Sequence, residues 1–197
     1  MKLKLLKVRL SYAFLGKPKA FGKNPAPDAD KSYQATFLLG KVAHAAHIKE
    51  CRANAIQMLK DKYGENYPKG FKLCLRDGME REDTPGYGES IMFISSSRRE
   101  QDGPGQFVDE AVRPVLGAAI DQKFYSGCYV NATLRMWIQD NSFGKRINCE
   151  YTALQFHSDG ERFGQDSTVN VNEEFQPLDG ATDAGLEGDH AEFDSLL

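Results

Sequence analysis

The sequence predicts a mostly β protein, with a β domain over residues 1–164 followed by an acidic tail over residues 165–197. One observation behind this prediction is a strict period of two in residues 128–139, CYVNATLRMWIQ, which is typical of a strand with one buried face. Another is that nine Asp and Glu residues, and no Lys or Arg, follow Arg162. With 197 residues, 41% of them hydrophobic, the chain can form one core of about 150 to 160 residues.

The first strand is predicted over residues 2–14, where polar and apolar residues alternate with one break. Leu3 and Leu5 occupy odd positions, whereas the later apolar residues occupy even positions: Leu6, Val8, Leu10, Tyr12 and Phe14. One extra residue near Leu5 and Leu6 predicts a β-bulge in a long, bent strand. The stretch GKPKAFGKNPAPDADK, residues 16–31, is rich in Gly and Pro and predicts a loop.

Four further elements are predicted after this loop. Residues 33–39 alternate as a second strand, and residues 44–64 have apolar side chains near helical spacing, at Ile48, Ala55, Ile56 and Leu59. The short apolar runs at residues 71–75 and 91–94 predict strands joined by a long exposed loop. Residues 98–124 have no clear period.

The last two strands are predicted as a hairpin whose turn carries Phe143. The apolar face of its first strand is formed by Cys128, Val130, Ala132, Leu134, Met136 and Ile138. Its second strand alternates Ile147, Cys149, Tyr151 and Ala153 with Arg146, Asn148, Glu150 and Thr152.

The polar face of the first hairpin strand predicts a binding surface, because it carries two large aromatic rings and a guanidinium: Tyr129, Asn131, Thr133, Arg135, Trp137 and Gln139. Such side chains can stack on bases and pair with phosphates. An alternative is that Trp137 is half buried under the helix or a loop. Phe21 among the lysines of the first loop, and Phe143 beside Lys145 and Arg146, repeat the combination of an aromatic ring with basic residues.

These three clusters occupy the places that bind single strands in a five-stranded Greek-key barrel of the OB type, namely one sheet face and the first and last inter-strand loops. The stretch FYSGCYVNATLRMWIQDNSFGKRINCEYTALQFHSDGERFG, residues 124–164, resembles the terminal hairpin of phage-type single-stranded DNA-binding proteins. The resemblance is fair for the first strand and weak in between. The simplest OB order places the helix after the third strand, whereas the predicted helix follows the second.

The resemblance implies an OB-fold protein without enzymatic activity or cofactor that coats ssDNA in phage replication or recombination. The predicted DNA-binding residues are Lys7, Arg9, Lys17, Lys19, Phe21, Lys23, Tyr129, Arg135, Trp137, Phe143, Lys145 and Arg146. The acidic tail is similar to tails that contact replication partners such as a polymerase or helicase, and its predicted partner-binding residues are Asp189, Glu192, Phe193, Asp194 and Leu197. We expect a monomer or homodimer.

Charge is distributed unevenly along the chain. The formal net charge is −3, but the 19 acidic residues before the tail face 25 Lys and Arg, so that residues 1–162 carry a net charge of +6. A basic body with an acidic tail is typical of a nucleic-acid-binding protein. The tail has few apolar groups to bury and is predicted to be disordered. The basic start has no long apolar run, so we expect no signal peptide, no membrane span and a location in the (host) cytoplasm.

Alternative chemistry has weaker support. His44, His47 and Cys51 would share one side of a helix as zinc ligands, but no fourth ligand is evident, and we expect no metal. Asp109 with Asp121 and Lys123 is loosely similar to a metal-dependent nuclease site. A basic virion or assembly protein is the structural alternative. The four cysteines have irregular spacing and no C-x-x-C pair, which predicts free thiols.

Overall fold

The computed structural model describes residues 1–21, 26 and 29–164. Five long strands form the framework: β1 (Lys2–Ala20), β2 (Lys31–Gly40), β5 (Ile91–Arg99), β7 (Tyr129–Asn141) and β8 (Gly144–Ser158). Short strands β3 (Lys72–Leu73), β4 (Leu75–Asp77) and β6 (Gln106–Val108) lie beside them. The helices of the described part are α1 (Ala45–Tyr63) and α2 (Ala119–Lys123), and neither is long and apolar enough to cross a membrane.

The five long strands close into a barrel in the order β1, β2, β5, β8, β7 and back to β1. Four of these pairings are antiparallel, and the closing pairing of β5 with β8 is parallel at Ser96 and Cys149. The Ser96 hydroxyl supports this closure because it accepts a hydrogen bond from the Tyr151 amide at 2.7 Å. The predicted OB-type barrel is confirmed.

Strand β1 bends at two irregularities. Between Leu5 and Val8 it has one more residue than β7, and Lys7 there has a φ of 51°, which confirms the predicted bulge. A second irregularity separates Ser11 from Phe14 in the pairing with β2, and Tyr12 has a φ of 47°. The apolar residues at even positions therefore do not share one face: Val8 and Leu10 are buried, whereas Leu6 and Tyr12 are exposed. After the second irregularity the odd-numbered Leu15 is fully buried instead.

The predicted loop from residue 16 is also wrong in its first part, because β1 continues through Ala20. The pairing with β2 is irregular between Phe14 and Lys19, and this interval includes Pro18, which has no amide hydrogen for a sheet ladder. Lys17 and Lys19 consequently lie on a strand, and only Phe21 and the residues after it belong to the connection.

The barrel core is formed by the predicted apolar faces. From Cys128, directly before β7, to Met136 the residues alternate as predicted, and the apolar face of Cys128, Val130, Ala132, Leu134 and Met136 is buried. On β8 the face changes at a bulge opposite Thr133 and Leu134, so that Leu154 and Phe156 are buried and Ala153 is only half buried. The largest fully buried side chains are Tyr151, Phe37, Phe93, Phe124, Leu3, Leu5, Leu10, Leu15, Leu39, Ile94, Leu134 and Met136.

Helix α1 lies between the second and third barrel strands, and the shorter α2 lies between the third and fourth. The position predicted for the long helix is thus correct, as is the departure from the simplest OB order. Its buried residues are Ile48, Cys51, Ala55 and Leu59, whereas Ile56 is exposed. Counted from Ile48, the buried residues occupy positions i, i+3, i+7 and i+11, which share one helix face. Cys51 therefore belongs to the buried face, and Ile56 does not.

Candidate nucleic-acid interface

A groove of about 1090 Å³ crosses the outer face of the barrel. Its floor is formed by β2, β5 and β8, which are neighbours in the barrel, and β1 and β7 flank these three strands. The lining residues are Tyr12, Phe14, Phe21, Gln34, Thr36, Arg81, Thr84, Ser95, Ser96, Ser97, Trp137, Gln139, Phe143, Arg146, Asn148 and Cys149.

Aromatic rings line both flanks of the groove. Trp137 on β7 is 42% exposed, and Phe143 at the hairpin turn is 82% exposed. On the other flank, Phe14 and Phe21 contact each other edge to face, with ring centroids 5.5 Å apart. Tyr12 adjoins them on β1, where its positive φ places its side chain outside the core. Exposed rings on both flanks provide surfaces on which bases can stack.

The floor between the aromatic flanks is polar and built from small or uncharged side chains. Thr36 on β2, Ser95 and Ser97 on β5, and Asn148 on β8 line it. The Asn148 amide donates to the Gln139 side-chain oxygen at 2.9 Å, which fixes the orientation of both. Such a floor offers hydrogen bonds to bases or sugars while leaving space for a strand.

The groove contains two arginines. Arg146 on β8 is exposed. Arg81 belongs to the connection between the second and third barrel strands, and its guanidinium lies 5.1 Å from the ring centroid of Tyr12 and 4.9 Å from that of Phe93. Cation–π contacts of this kind hold Arg81 next to the exposed Tyr12 ring. The two guanidiniums can neutralise phosphates on either side of the floor.

The structure brings only some of the predicted DNA-binding residues into this groove. Phe21, Trp137, Phe143 and Arg146 line it, and Lys19 lies at its border, with the ammonium 4.3 Å from the Phe14 ring centroid. Lys17 and Lys145 are exposed and do not line the groove. In sequence, Lys17 lies between the groove residues Phe14 and Phe21, and Lys145 directly precedes Arg146. Lys23 lies outside the described residues, as do the predicted tail residues Asp189, Glu192, Phe193, Asp194 and Leu197.

Four other predicted residues do not line the groove. Lys7 lies in the β1 bulge, and Tyr129 lies at the start of β7, 5.8 Å from the guanidinium of Arg9. Arg9 itself donates to the backbone oxygens of Gly127 and Glu161 and stacks on Phe163 at 4.2 Å. These contacts connect Arg9 to the segment after β8.

Arg135 forms an ion pair with Glu150, which is buried and also pairs with Arg98. This hydrogen-bonded carboxylate raises the pKa of Arg135 above its usual value. The sequence pattern placed Glu150 on the polar face of β8, and the structure shows that two arginines surround it there. Arg135 therefore shares a single carboxylate with Arg98, and the pairing holds its guanidinium on β7 outside the groove lining.

Tyr12, Phe14, Arg81 and the serines of β5 are groove residues that were missed. Leu15 was the sequence signal that could have identified Tyr12 and Phe14. An apolar residue directly after Phe14 is a second break in the alternation, and it indicates a second irregularity in β1. Arg81 lies in a charged connection without any period, and nothing in the sequence places it beside Tyr12. The β5 serines follow IMFI directly and extend that strand beyond its apolar run.

The residues considered for zinc have other partners. The His44 ring accepts a hydrogen bond from the Gly40 amide at 3.0 Å and lies 3.2 Å from the Lys7 carbonyl, to which it can donate. His47 accepts from the Leu6 amide at 3.4 Å, so the two rings bind the exposed backbone of the β1 bulge. Cys51 is fully buried, and no cluster of potential metal ligands occurs among the described residues.

The residues considered for a nuclease are likewise engaged separately. Asp109 accepts from the Arg113 and Ala111 amides, and these hydrogen bonds lower its pKa. Asp121 accepts from the Gly16 amide at 2.7 Å, and Lys123 pairs with Glu110. Asp109 thus stabilises a local turn, Asp121 connects α2 to β1, and Lys123 is held in an ion pair. All four cysteines are free thiols, as predicted.

Comparison with known proteins identifies the family. The family described as Enterobacter phage Enc34, ssDNA-binding protein, matches residues 1–186. A protein designated p50 from Acyrthosiphon pisum secondary endosymbiont phage 1 is 32% identical over 197 residues, which cover 94% of this chain and 98% of that protein.

Two solved structures have the same fold. The single-stranded DNA-binding protein from bacteriophage Enc34, solved in complex with ssDNA, has a TM-score of 0.71 and 26% identity, covering 83% of this chain and 89% of that chain. A C-terminal truncation of that protein has a TM-score of 0.68 and 26% identity, covering 82% and 88%. Since the family match extends over nearly the whole sequence, this chain belongs to the Enc34-type family of phage ssDNA-binding proteins.

Proposed function

We propose that this protein binds single-stranded DNA without sequence preference, and that it coats and protects exposed strands during phage DNA replication or recombination in the host cytoplasm. The observation that carries the proposal is the groove with aromatic rings on both flanks and a polar floor. Family membership and the ssDNA complex of the Enc34 protein support the same ligand.

Each part of the groove has a function in this proposal. Trp137 and Phe143 stack on bases from one flank, and Tyr12, Phe14 and Phe21 stack from the other. Stacking accepts all four bases, because every base has a π-face. Arg81 and Arg146 bind phosphates, and Lys19 adds positive charge beside Phe14. The exposed Lys17 and Lys145 add to the positive charge of these segments. Duplex DNA is disfavoured because its bases are already stacked on one another.

A salt titration tests this function. If four to six phosphates are neutralised, the slope of log K against log salt is about −3 to −4 for single strands. The measurement uses labelled oligonucleotides of different sequence, with a duplex of equal length as the control. Equal or stronger binding of the duplex, or affinity that does not change with salt, contradicts the proposal.

Adding Mg²⁺ to the same reaction tests the alternatives. We expect a mobility shift with intact oligonucleotide, because no carboxylate cluster for a metal occurs in the described residues. Cleavage that EDTA prevents would instead support a metal-dependent nuclease. If neither a shift nor cleavage occurs, a virion or assembly role becomes the better explanation.

The acidic tail is proposed to recruit a replication partner such as a polymerase or helicase. Its sequence combines nine carboxylates with an apolar end, where Asp189, Glu192, Phe193, Asp194 and Leu197 form the proposed contact. Because the tail carries nine acidic residues and residues 1–162 have a net positive charge, we expect the tail to compete weakly with DNA at low salt. DNA binding would then release the tail for the partner.

Deleting residues 173–197 tests the tail. We expect tighter ssDNA binding at low salt, by a margin that shrinks as salt screens the charges, and loss of partner capture. A tail of equal length with Asn and Gln in place of Asp and Glu is the matched control, and it should bind DNA like the deletion. Unchanged affinity across the salt series together with unchanged partner capture would leave solubility as the role of the tail.

A further inference from the structure

A second cavity of about 600 Å³ adjoins the groove and shares three lining residues with it, Ser95, Arg146 and Asn148. It extends from these residues over the short strands β3 and β4 and the first residues of the turn that follows. The hydroxyl of Ser95, at the boundary between the two cavities, has no hydrogen-bond partner within the described part of the chain. The groove therefore continues beyond the strands that form its floor.

The extension exists because β5 and β8 pair only at Ser96 and Cys149. Beyond this pairing the two strands diverge, and the segment from Lys72 to Asp77 lies between them. Its first part, β3, pairs in parallel with β8, and its second part, β4, pairs with β5. The side chains of this inserted segment consequently border the extension.

The β3 side of the extension is positively charged. Lys72 is exposed and pairs in register with Arg146. Adjacent strands lie about 4.8 Å apart, so these two cations can contact neighbouring phosphates of one strand. Neither Lys72 nor Arg146 forms an ion pair with any other described residue.

The acidic residues of the extension are compensated. Asp77 pairs with Lys41 at 2.8 Å, and Glu80 pairs with Arg76. These pairs lower the pKa of both carboxyl groups. Their charges therefore offset little of the attraction that Lys72 and Arg146 exert on a phosphate.

An aromatic ring accompanies the basic residues here as well. Phe71 directly precedes Lys72 and is half buried, and the ammonium of Lys145 lies 5.8 Å from its ring centroid. Asp140, opposite Lys145 in the hairpin, accepts a hydrogen bond from Tyr63 at 2.7 Å. The β3 edge thus repeats the combination of ring and cations found at both flanks of the groove.

We propose that the bound strand leaves the groove over Asn148 and Arg146 and continues along β3, where Lys72 contacts its phosphate backbone. The proposal rests on the proposed function, because it extends the path of the same ssDNA. The ligand of the extension is a phosphodiester backbone, and a strand long enough to reach β3 gains a contact that a shorter strand lacks.

Lys72→Ala tests the path in a length series of oligothymidylates from about 4 to about 16 nucleotides, the range of site sizes for one OB fold. For the longest strands we expect the salt slope to become less steep by about 0.7, which is about a fivefold loss of affinity at 0.1 M salt. For the shortest strand that binds, we expect no change. Lys49→Ala on α1 is the matched control, because Lys49 is exposed and lines neither cavity.

The possible outcomes are distinguishable. If Lys72→Ala matches Lys49→Ala at every length, the strand does not pass β3 and the proposal is wrong. If Lys72→Ala weakens binding of the shortest and longest strands equally, Lys72 acts only through the overall positive potential of the protein, and the proposed path along β3 is again refuted. Failure of the unmodified protein to bind any length would contradict the proposed function itself.

Discussion

Replacing Trp137 by Ala separates the binding role of this ring from a structural one. Trp137 is the single tryptophan of the chain, and it lies on the groove face of β7. Its strand neighbour Met136 is buried on the opposite face. Truncation therefore removes a ring from the groove wall and leaves the barrel core intact.

The expected losses follow from the exposure of the ring. Trp137 is 42% exposed, so roughly 140 Å² of a side chain that can bury about 250 Å² is covered. At about 25 cal/mol per Å², reduced for a compact unfolded state, its removal costs at most about 2 to 3 kcal/mol of stability. A domain of ordinary stability remains folded after such a loss. Loss of one base–aromatic stack weakens binding by about 1 to 3 kcal/mol, which is about 5-fold to 150-fold in affinity.

Two measurements check this expectation. Anisotropy of a labelled oligothymidylate gives the affinity of Trp137→Ala, and thermal denaturation of the same sample gives its stability. In the unmodified protein, tryptophan emission reports on this site alone, and stacking on a base should quench it. Trp137→Phe is the matched control, because it keeps a smaller ring on the same strand face and should recover part of the affinity.

Binding by Trp137→Ala within twofold of the unmodified protein would refute the stacking role. The same conclusion would follow from unchanged tryptophan emission at saturating ssDNA. A large loss of stability with unchanged affinity would show that Trp137 belongs to the packed structure, which is the alternative that the sequence left open.

Three further changes have distinct expected results. Phe143→Ala should weaken ssDNA binding by about 1 to 3 kcal/mol, the scale of one base–aromatic stack. It should change stability by less than about 0.5 kcal/mol, because the ring is 82% exposed, and a clear drop in melting temperature would contradict this. Burial lowers the pKa of His47 below its ordinary 6.5, and the neutral ring accepts a hydrogen bond from the Leu6 amide, so the contribution of His47 to stability should be complete above pH 6.5 and fall as pH decreases through the lowered pKa. His47→Gln should reduce this pH dependence of the melting temperature, and an unaltered profile would exclude His47 as its source. Gly127→Ala should destabilise the fold by more than about 2 kcal/mol, because φ is 117° and a Cβ would clash with the Glu161 carbonyl oxygen. An unchanged melting temperature would show that the segment after β8 moves away at no cost in stability.

Regular periodicity explains which parts of the fold could be predicted. The terminal hairpin and α1 were predicted because one face of each is apolar at a fixed spacing, and burial of that face decides the structure. The β1 bulge was predicted because it shifts the alternation by one residue. In each case the information lies within about 20 consecutive residues.

Features that depend on distant partners could not be predicted. Glu150 has the polar position in an alternating strand, yet Arg98, which is 52 residues away in sequence, makes it part of a buried ion-pair network. Arg81 reaches Tyr12 from a connection without any period. Exposed and buried polar residues look alike in a single sequence, because the partner that compensates the charge is not a sequence neighbour.

Part of the binding surface arises where the regular strand pattern is interrupted. Trp137 lies outside because it occupies the outward face of a strand that alternates without a break, whereas the rings of Tyr12 and Phe143 lie outside where the backbone departs from this pattern. The irregularity at Tyr12 and the hairpin turn at Phe143 place rings on the two flanks of the groove. The short pairing of β5 with β8 lets β3 bring Lys72 beside Arg146. A substitution that regularised β1 near Tyr12 would therefore preserve the barrel and remove part of its binding surface.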